Sequence, residues 1–162
     1  MDTPPPIESR PTFPDDLADV RADLHELFVA TPMYATMGIS LDRWGPGWAQ
    51  LSMAPTAATG NLAGSVHGGA AFTLADAAFE VACNSWGRLA VALETTCHYH
   101  RPLEIGRVAR ADGWEVSRGG RTATYRLQVT DDDGTVLISY LALAYRTSRY
   151  HVDVDRLPEG WG

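Results

Sequence analysis

Apolar residues recur along this chain with two periods, and the longer period gives way to the shorter one after a long helix. From Leu17 to Ala30 they stand at Leu17, Val20, Leu24, Leu27 and Phe28. Steps of three and four put them on one helical face, and Pro32 ends the run. Met37 to Trp44 and Trp48 to Met53 flank Gly45-Pro46-Gly47, which predicts a hairpin. Pro55 to Gly64 reads as loop. Gly68 to about Trp86 is a long helix crowded with alanine and closed by Gly87. Strands are then predicted over Ala90 to His100, Arg107 to Ser117, Arg121 to Thr130 and Thr135 to Tyr145. Gly119-Gly120 and Asp131 to Gly134 turn the chain between them. The last strand is apolar on both faces, the pattern of a central strand.

Strands joined by short turns favour an antiparallel sheet. Five or six of them can curl around one alanine-rich helix, which makes the fold class α+β. Residues 1–16, rich in proline and acid, read as a loose arm, and 147–162 as a tail. One domain spans 17–146, with no repeat and no second domain.

Composition narrows the function. Of 162 residues, 45% are hydrophobic, enough for a core, and the net charge is −7. No basic run exists to cover phosphates, which excludes a nucleic-acid binder. All 13 basic residues are arginine, so lysine Schiff-base and lysine-nucleophile chemistry are excluded. Cys83 and Cys97 lie in apolar runs without metal-type spacing and read as packed thiols of a reducing compartment. The start has no apolar signal core, and no apolar run approaches the ~20 residues that span a membrane. A cytoplasmic protein is expected. His98 and His100 share a strand face, but no third ligand is evident, so an exposed polar face is expected there and no metal.

The chemistry concentrates in Asn61-Leu-Ala-Gly-Ser-Val-His67-Gly68-Gly69-Ala-Ala-Phe-Thr-Leu-Ala-Asp76. Paired glycines let a backbone approach a ligand closely. A helix start offers unpaired N–H groups and a positive dipole end, a combination that can hold a developing oxyanion. Asp76, among Phe72, Leu74, Ala75, Ala77, Ala78 and Phe79, is a costly charge unless it is used or hydrogen-bonded. His67 can cap the helix or orient a substrate. Glu80 lies one turn after Asp76, facing the same cleft or solvent. No Gly-x-Ser-x-Gly elbow, phosphate loop or dinucleotide fingerprint is present.

This string resembles the hotdog-fold acyl-CoA thioesterases, above all the phenylacetic-acid-degradation (PaaI) type. That type carries Asn, a Gly, then His-Gly-Gly, then Leu-Ala-Asp-x-Ala-Phe. Here these are Asn61, Gly64, His67-Gly68-Gly69 and Leu74 to Phe79, with Ala82-Cys83-Asn84-Ser85 and Arg101-Pro102 following. The resemblance covers roughly residues 25–146. It implies a hotdog fold and hydrolysis of acyl-CoA thioesters, with arylacetyl groups (phenylacetyl or hydroxyphenylacetyl) leading and medium acyl groups also in view. It further implies that Asp76 activates water or attacks directly, and that the Gly68 N–H polarises the carbonyl. His67 and Asn61 orient the substrate and the loop. A related branch acting on hydroxybenzoyl and dihydroxynaphthoyl thioesters commonly has Glu at this position, so Asp76 leans toward the arylacetyl branch. Gly69, Thr96, Arg101, Arg118 and Arg121 are the candidates for substrate contacts, the arginines for the CoA phosphates. No cofactor is expected.

Gly68 and Asp76 are eight positions apart, or ~12 Å along one helix at 1.5 Å per residue. A carbonyl needs its oxyanion donor and its attacking group both ~3 Å away. Gly68 is therefore expected from one subunit and Asp76 from its partner, in a homodimer that pairs further into a tetramer. The rival readings are a non-catalytic acyl-CoA binding or sensing module, which has no need of Asp76, and a hotdog dehydratase or hydratase, which needs a different His/acid arrangement.

Overall fold

Small side chains decide how closely the central helix approaches the sheet. The computed structural model describes residues 3–161. Three α-helices, α1 (Ala18–Val29), α2 (Pro32–Met37) and α3 (Gly68–Asn84), accompany six strands. These are β1 (Ile39–Gly45), β2 (Trp48–Met53), β3 (Arg88–Tyr99), β4 (Ala109–Arg118), β5 (Thr122–Thr130) and β6 (Val136–Tyr150). All pairings are antiparallel, in the order β1-β2-β4-β5-β6-β3. Ala71, Ala75, Ala78 and Ala82 of α3 are buried, and their steps of four, three and four make one stripe. Gly113 of β4 meets that stripe: a Cβ there would lie 2.7 Å from Leu127 and 3.6 Å from the Ala78 carbonyl. Phe79 continues the contact, edge-on to Tyr125 of β5 at 5.5 Å. The result is the α+β hotdog arrangement, a sheet wrapped around one long helix.

The far end of α3 is tied down by side chains. Ser85 donates to the Ala82 carbonyl and accepts the Gly47 N–H, each at 2.8 Å. Gly47 forms the β1–β2 turn with Pro46 and takes φ 78°, which a Pro-Gly pair supplies. The Asn84 amide donates to the carbonyls of Glu80 (2.9 Å) and Ala90 (3.2 Å), while its oxygen accepts the Ala90 N–H (2.9 Å). Those bonds fix where β3 leaves the helix.

Several elements differ from the sequence reading. Pro32 ends α1 and also opens α2 as an early helical residue, where its missing N–H costs nothing. α3 stops at Asn84, and β3 already starts at Arg88. β6 runs on to Tyr150 and lies next to the edge strand β3 within the protomer, leaving Leu141 of its outer face 45% exposed. The segment expected as an arm lies against the sheet. Arg10 is buried, paired with Asp112 of β4 at 2.6 Å and set 5.2 Å from the Trp48 ring. Phe13 meets Trp44 at 5.1 Å and Trp161, from the expected tail, at 5.2 Å. These anchors are single residues, so they leave no periodic signal. No described helix is long and apolar enough to cross a membrane.

Candidate active site

The loop before α3 is built by Asn61. Its carbonyl oxygen accepts the N–H groups of Ala63 (2.8 Å) and Ser65 (3.1 Å), and its amide donates to Ser65 Oγ (2.9 Å) and the Val66 carbonyl (3.2 Å). Such Asx geometry folds a polar loop without help from a sheet. Val66 N–H donates to the Leu103 carbonyl at 2.9 Å, and His67 N–H to the Thr59 carbonyl at 2.7 Å, pinning the loop in front of the helix. Asn61 thus spends its polar atoms on the loop.

His67 is the N-cap of α3. Its Nδ1 accepts the Gly69 N–H at 2.9 Å, which places the ring proton on Nε2. The cap uses the Gly69 donor and leaves the preceding one: among the described residues none accepts from the Gly68 N–H. Tyr99, at the end of β3, donates to the Gly68 carbonyl at 3.3 Å and would lie 3.2 Å from a Cβ at that position. A glycine is thereby pressed between a ring and an open donor at the positive end of a helix.

Asp76 sits two turns further along. Tyr140, reaching in from β6, donates to its Oδ1 at 2.7 Å. Burial, and then that bond to the carboxylate, raise the Tyr140 hydroxyl well above the usual tyrosine range. Phe72 stacks edge-on against Tyr140 at 5.3 Å and holds its ring. One turn on, Tyr34 of α2 donates to Glu80 Oε2 at 2.9 Å and to the Ala77 carbonyl at 3.2 Å. Burial pushes the Glu80 carboxyl up; the Tyr34 bond opposes this and the Asp76 charge adds to it. Both carboxylates face one cavity of about 370 Å³. Leu27 and Phe28 of α1, Phe79 of α3 and Leu89 to Ala92 of β3 wall it, and Cys83, Asn84 and His151 stand at its far end. Burial pushes the Cys83 thiol far above its ordinary range, so it is a packed, unreactive group.

The remaining candidates fall in different places. Thr96 pairs across the sheet with Leu141, on the face turned away from α3. Thr95, with Ala142, is on the Tyr140 face. Arg101 is exposed on the bend after β3, two residues beyond Tyr99 and so toward the Gly68 end. Arg118 is engaged elsewhere: it stacks on Trp86 at 3.7 Å and pairs with Glu115 at 3.4 Å. Arg121 is exposed in the β4–β5 turn, on the same side as Arg118. Arg118 and Arg121 therefore lie by the end of α3 opposite Gly68, and one protomer does not bring them to the loop. Nor does it bring Asp76 to Gly68, since two helical turns separate them. His98 and His100 are exposed, with His100 Nε2 2.9 Å from Ser139 Oγ. Among the described residues the carboxylates close enough to share a metal are Asp131, Asp132 and Asp133, and Arg107 pairs with all three. The sequence reading left Tyr34 open between a pocket and the core, and missed Tyr140 and His151. Tyr140 is hidden in an apolar strand, and only the packing of that strand against α3 reveals its partner.

Comparison with known proteins bears on this geometry. Residues 63–138, from the loop to the first residues of β6, match the thioesterase superfamily. Over 122 residues the chain is 30% identical to the acyl-coenzyme A thioesterase PaaI of Escherichia coli K12, covering 75% of this chain and 87% of that one. Over 102 residues it is 34% identical to a putative esterase of Archaeoglobus fulgidus, covering 63% of this chain and 66% of that one. The solved structure of the E. coli PaaI protein of the phenylacetic acid degradation operon superposes with a TM-score of 0.77 at 28% identity, over 80% of this chain and 94% of the other.

Proposed function

The chain belongs to the thioesterase superfamily and is a thioester hydrolase of the PaaI kind, and from that premise we propose that it cleaves arylacetyl-CoA or medium acyl-CoA thioesters to the free acid and CoA. The observation that carries the proposal is a carboxylate, Asp76, aimed by the Tyr140 hydroxyl at the mouth of an apolar-walled cavity. An acyl group enters the cavity, with Leu27, Phe28 and Phe79 taking its apolar body. Asp76 removes a proton from water, or attacks the carbonyl itself; a positioned base of this kind contributes ~10²–10⁴-fold. The Gly68 N–H receives the oxyanion, and loss of such a donor typically costs ~10²–10³-fold. Thiolate is a good leaving group, so water, one base and one donor suffice and no cofactor is needed. Arg101 is the cation best placed to meet the CoA phosphates at the Gly68 end.

The site is shared between two subunits. Within a protomer Gly68 and Asp76 are too far apart to serve one carbonyl. β3 meanwhile presents a free edge with Val91 47% and Leu93 56% exposed, and an open apolar strand edge is a template for a second copy. Two outcomes test the reading. Free thiol is expected from phenylacetyl-CoA and hydroxyphenylacetyl-CoA; its absence across a panel of arylacetyl and medium acyl thioesters overturns the substrate class. Mixing Asp76→Asn with Gly68→Pro subunits, each inactive alone, is expected to restore about a quarter of the wild-type rate, because half the dimers are hybrids with one intact site. No recovery on subunit exchange overturns the sharing.

A further inference from the structure

We infer that Glu80 makes the acyl cavity select by charge, favouring acyl groups that carry a fixed cation one helical turn beyond the carbonyl and refusing those that carry an anion there. The inference rests on the function proposed above and deepens it. Glu80 lies four residues past Asp76, ~6 Å of helix rise, and both line the same cavity. An extended chain advances ~1.25 Å per bond, from bonds near 1.5 Å and angles near 111°. A group about four to five bonds past a carbonyl held at Asp76 therefore comes level with Glu80.

The carboxyl is open to that encounter. Tyr34 donates to Oε2, and Glu80 is exposed in the protomer on the side where it lines the cavity. Its surroundings leave the charge unanswered. From α3, Asp76 adds a second acid, and the Cys83 thiol is held neutral by burial. From α2 comes the Tyr34 hydroxyl, raised far above the usual tyrosine range by burial and then by Glu80 itself. α1 contributes Leu27, Phe28 and Thr31, and β3 contributes Leu89 to Ala92, none of them charged. His151 stands at the far end, where burial, and then the nearby Arg149 charge, favour its neutral ring. No arginine lines the cavity. The loop 61–67 that a partner would bring to Asp76 carries neither an acid nor an arginine. A carboxylate in such a wall attracts a cation and repels an anion, and the Phe28 and Phe79 rings beside it suit a quaternary ammonium. Burial pushes the Glu80 carboxyl up, so its charge, and the selection with it, is present at alkaline pH and fades toward acid, above the ordinary glutamate value of ~4.3.

The test compares thioesters of matched shape and different charge by thiol release, less an enzyme-free blank. γ-Trimethylammoniobutyryl-CoA is set against its carbon isostere 5,5-dimethylhexanoyl-CoA, and glutaryl-CoA against 5-methylhexanoyl-CoA. Phenylacetyl-CoA is the control for the function itself. At about pH 8, kcat/KM for the cation is expected to exceed its isostere by about tenfold, and glutaryl-CoA to fall about tenfold or more below its own. In Glu80→Gln, which keeps an acceptor for Tyr34, both ratios are expected to come within about threefold of one. In the wild type both ratios should shrink as pH falls, and by more than in the variant. Ratios near one in the wild type overturn the inference, as do ratios unchanged in a folded Glu80→Gln, checked by its thermal melt. If that variant does not fold, the wild-type ratios and their decline toward acid decide. Hydrolysis of phenylacetyl-CoA with charge ratios near one overturns this inference and leaves the function standing. Hydrolysis of the aliphatic set alone refutes the arylacetyl reading, and the ratios still decide this one. Hydrolysis of none refutes both.

Discussion

At its C-terminal end α3 is closed by its own side chains: Ser85 and Asn84 are buried, and each closes bonds to the hairpin turn or to the start of β3. At its N-terminal end the same helix stops with an exposed His67 and a Gly68 N–H that nothing described accepts. Backbone donors at helix ends are normally satisfied when they are hidden. One end of α3 serves folding. The other is left incomplete, and an incomplete end on a rigid helix is where a reacting carbonyl can complete it. Asp76 lies between the two, with one oxygen taken by the Tyr140 hydroxyl.

The contrast can be broken at its strongest point first. Asp76→Asn keeps an oxygen for Tyr140, so the fold should stand while kcat falls ~10²–10⁴-fold; a thiol-release assay beside a thermal melt checks both halves. Gly68→Pro is the sharper cut. Proline is at home at the first helical position, and His67 already has the extended backbone, φ −63° and ψ 134°, that a following proline requires. The N–H is lost, and the added Cβ asks the half-exposed end of the Tyr99 ring to give by a few tenths of an ångström, so kcat should drop ~10²–10³-fold with a small change in melting temperature. A fully active Gly68→Pro would remove the oxyanion role. Ser85→Ala, at the other end, should do the reverse. It strands the Gly47 N–H and should cost about 1–3 kcal/mol, or ~2–4 °C of melting temperature per kcal/mol in a domain of this size, with kcat of the folded protein unchanged.

The smallest effect concerns Glu80, in the middle of the helix. Burial raises its carboxyl pKa in the folded state, so the native protein binds a proton that the unfolded chain has already lost. Stability from this group is therefore present below the ordinary glutamate value of ~4.3 and declines as pH rises through the elevated one. Glu80→Gln keeps an acceptor for Tyr34 and removes that slope. Its melting temperature should exceed wild type's at neutral pH, and the difference should shrink toward acid; a pH series of melts reads it.

Much of this was legible before any coordinates. The alanine stripe, the Gly45-Pro46-Gly47 turn and the alternation in β5 are local signals, and each marks its element. The string from Asn61 to Asp76 marks the functional region because its residue types are odd for a loop and a core helix. Contacts that depend on register were not legible. Tyr140 reads as one more apolar strand residue until β6 is laid against α3. Thr95 and Thr96 differ only in which sheet face they take, and a bulge between Ala92 and Glu94 shifts that count. Arg10 and His151 lie in segments whose composition suggests no structure, yet Arg10 is held by Asp112, the Pro5 carbonyl and the Trp48 ring, and His151 by Asn84 and the Gly87 carbonyl.

The bare rim of β3 has a consequence for solubility. A twelve-residue strand that can be lengthened sideways by its own copy can be lengthened by any extended apolar peptide. It contains no proline and no lysine, two of the usual guards against such misassembly. What guards it is the irregular step beside Ala92 and the exposed charge of Glu94. A charge on an open edge is a usual device against fibrous association.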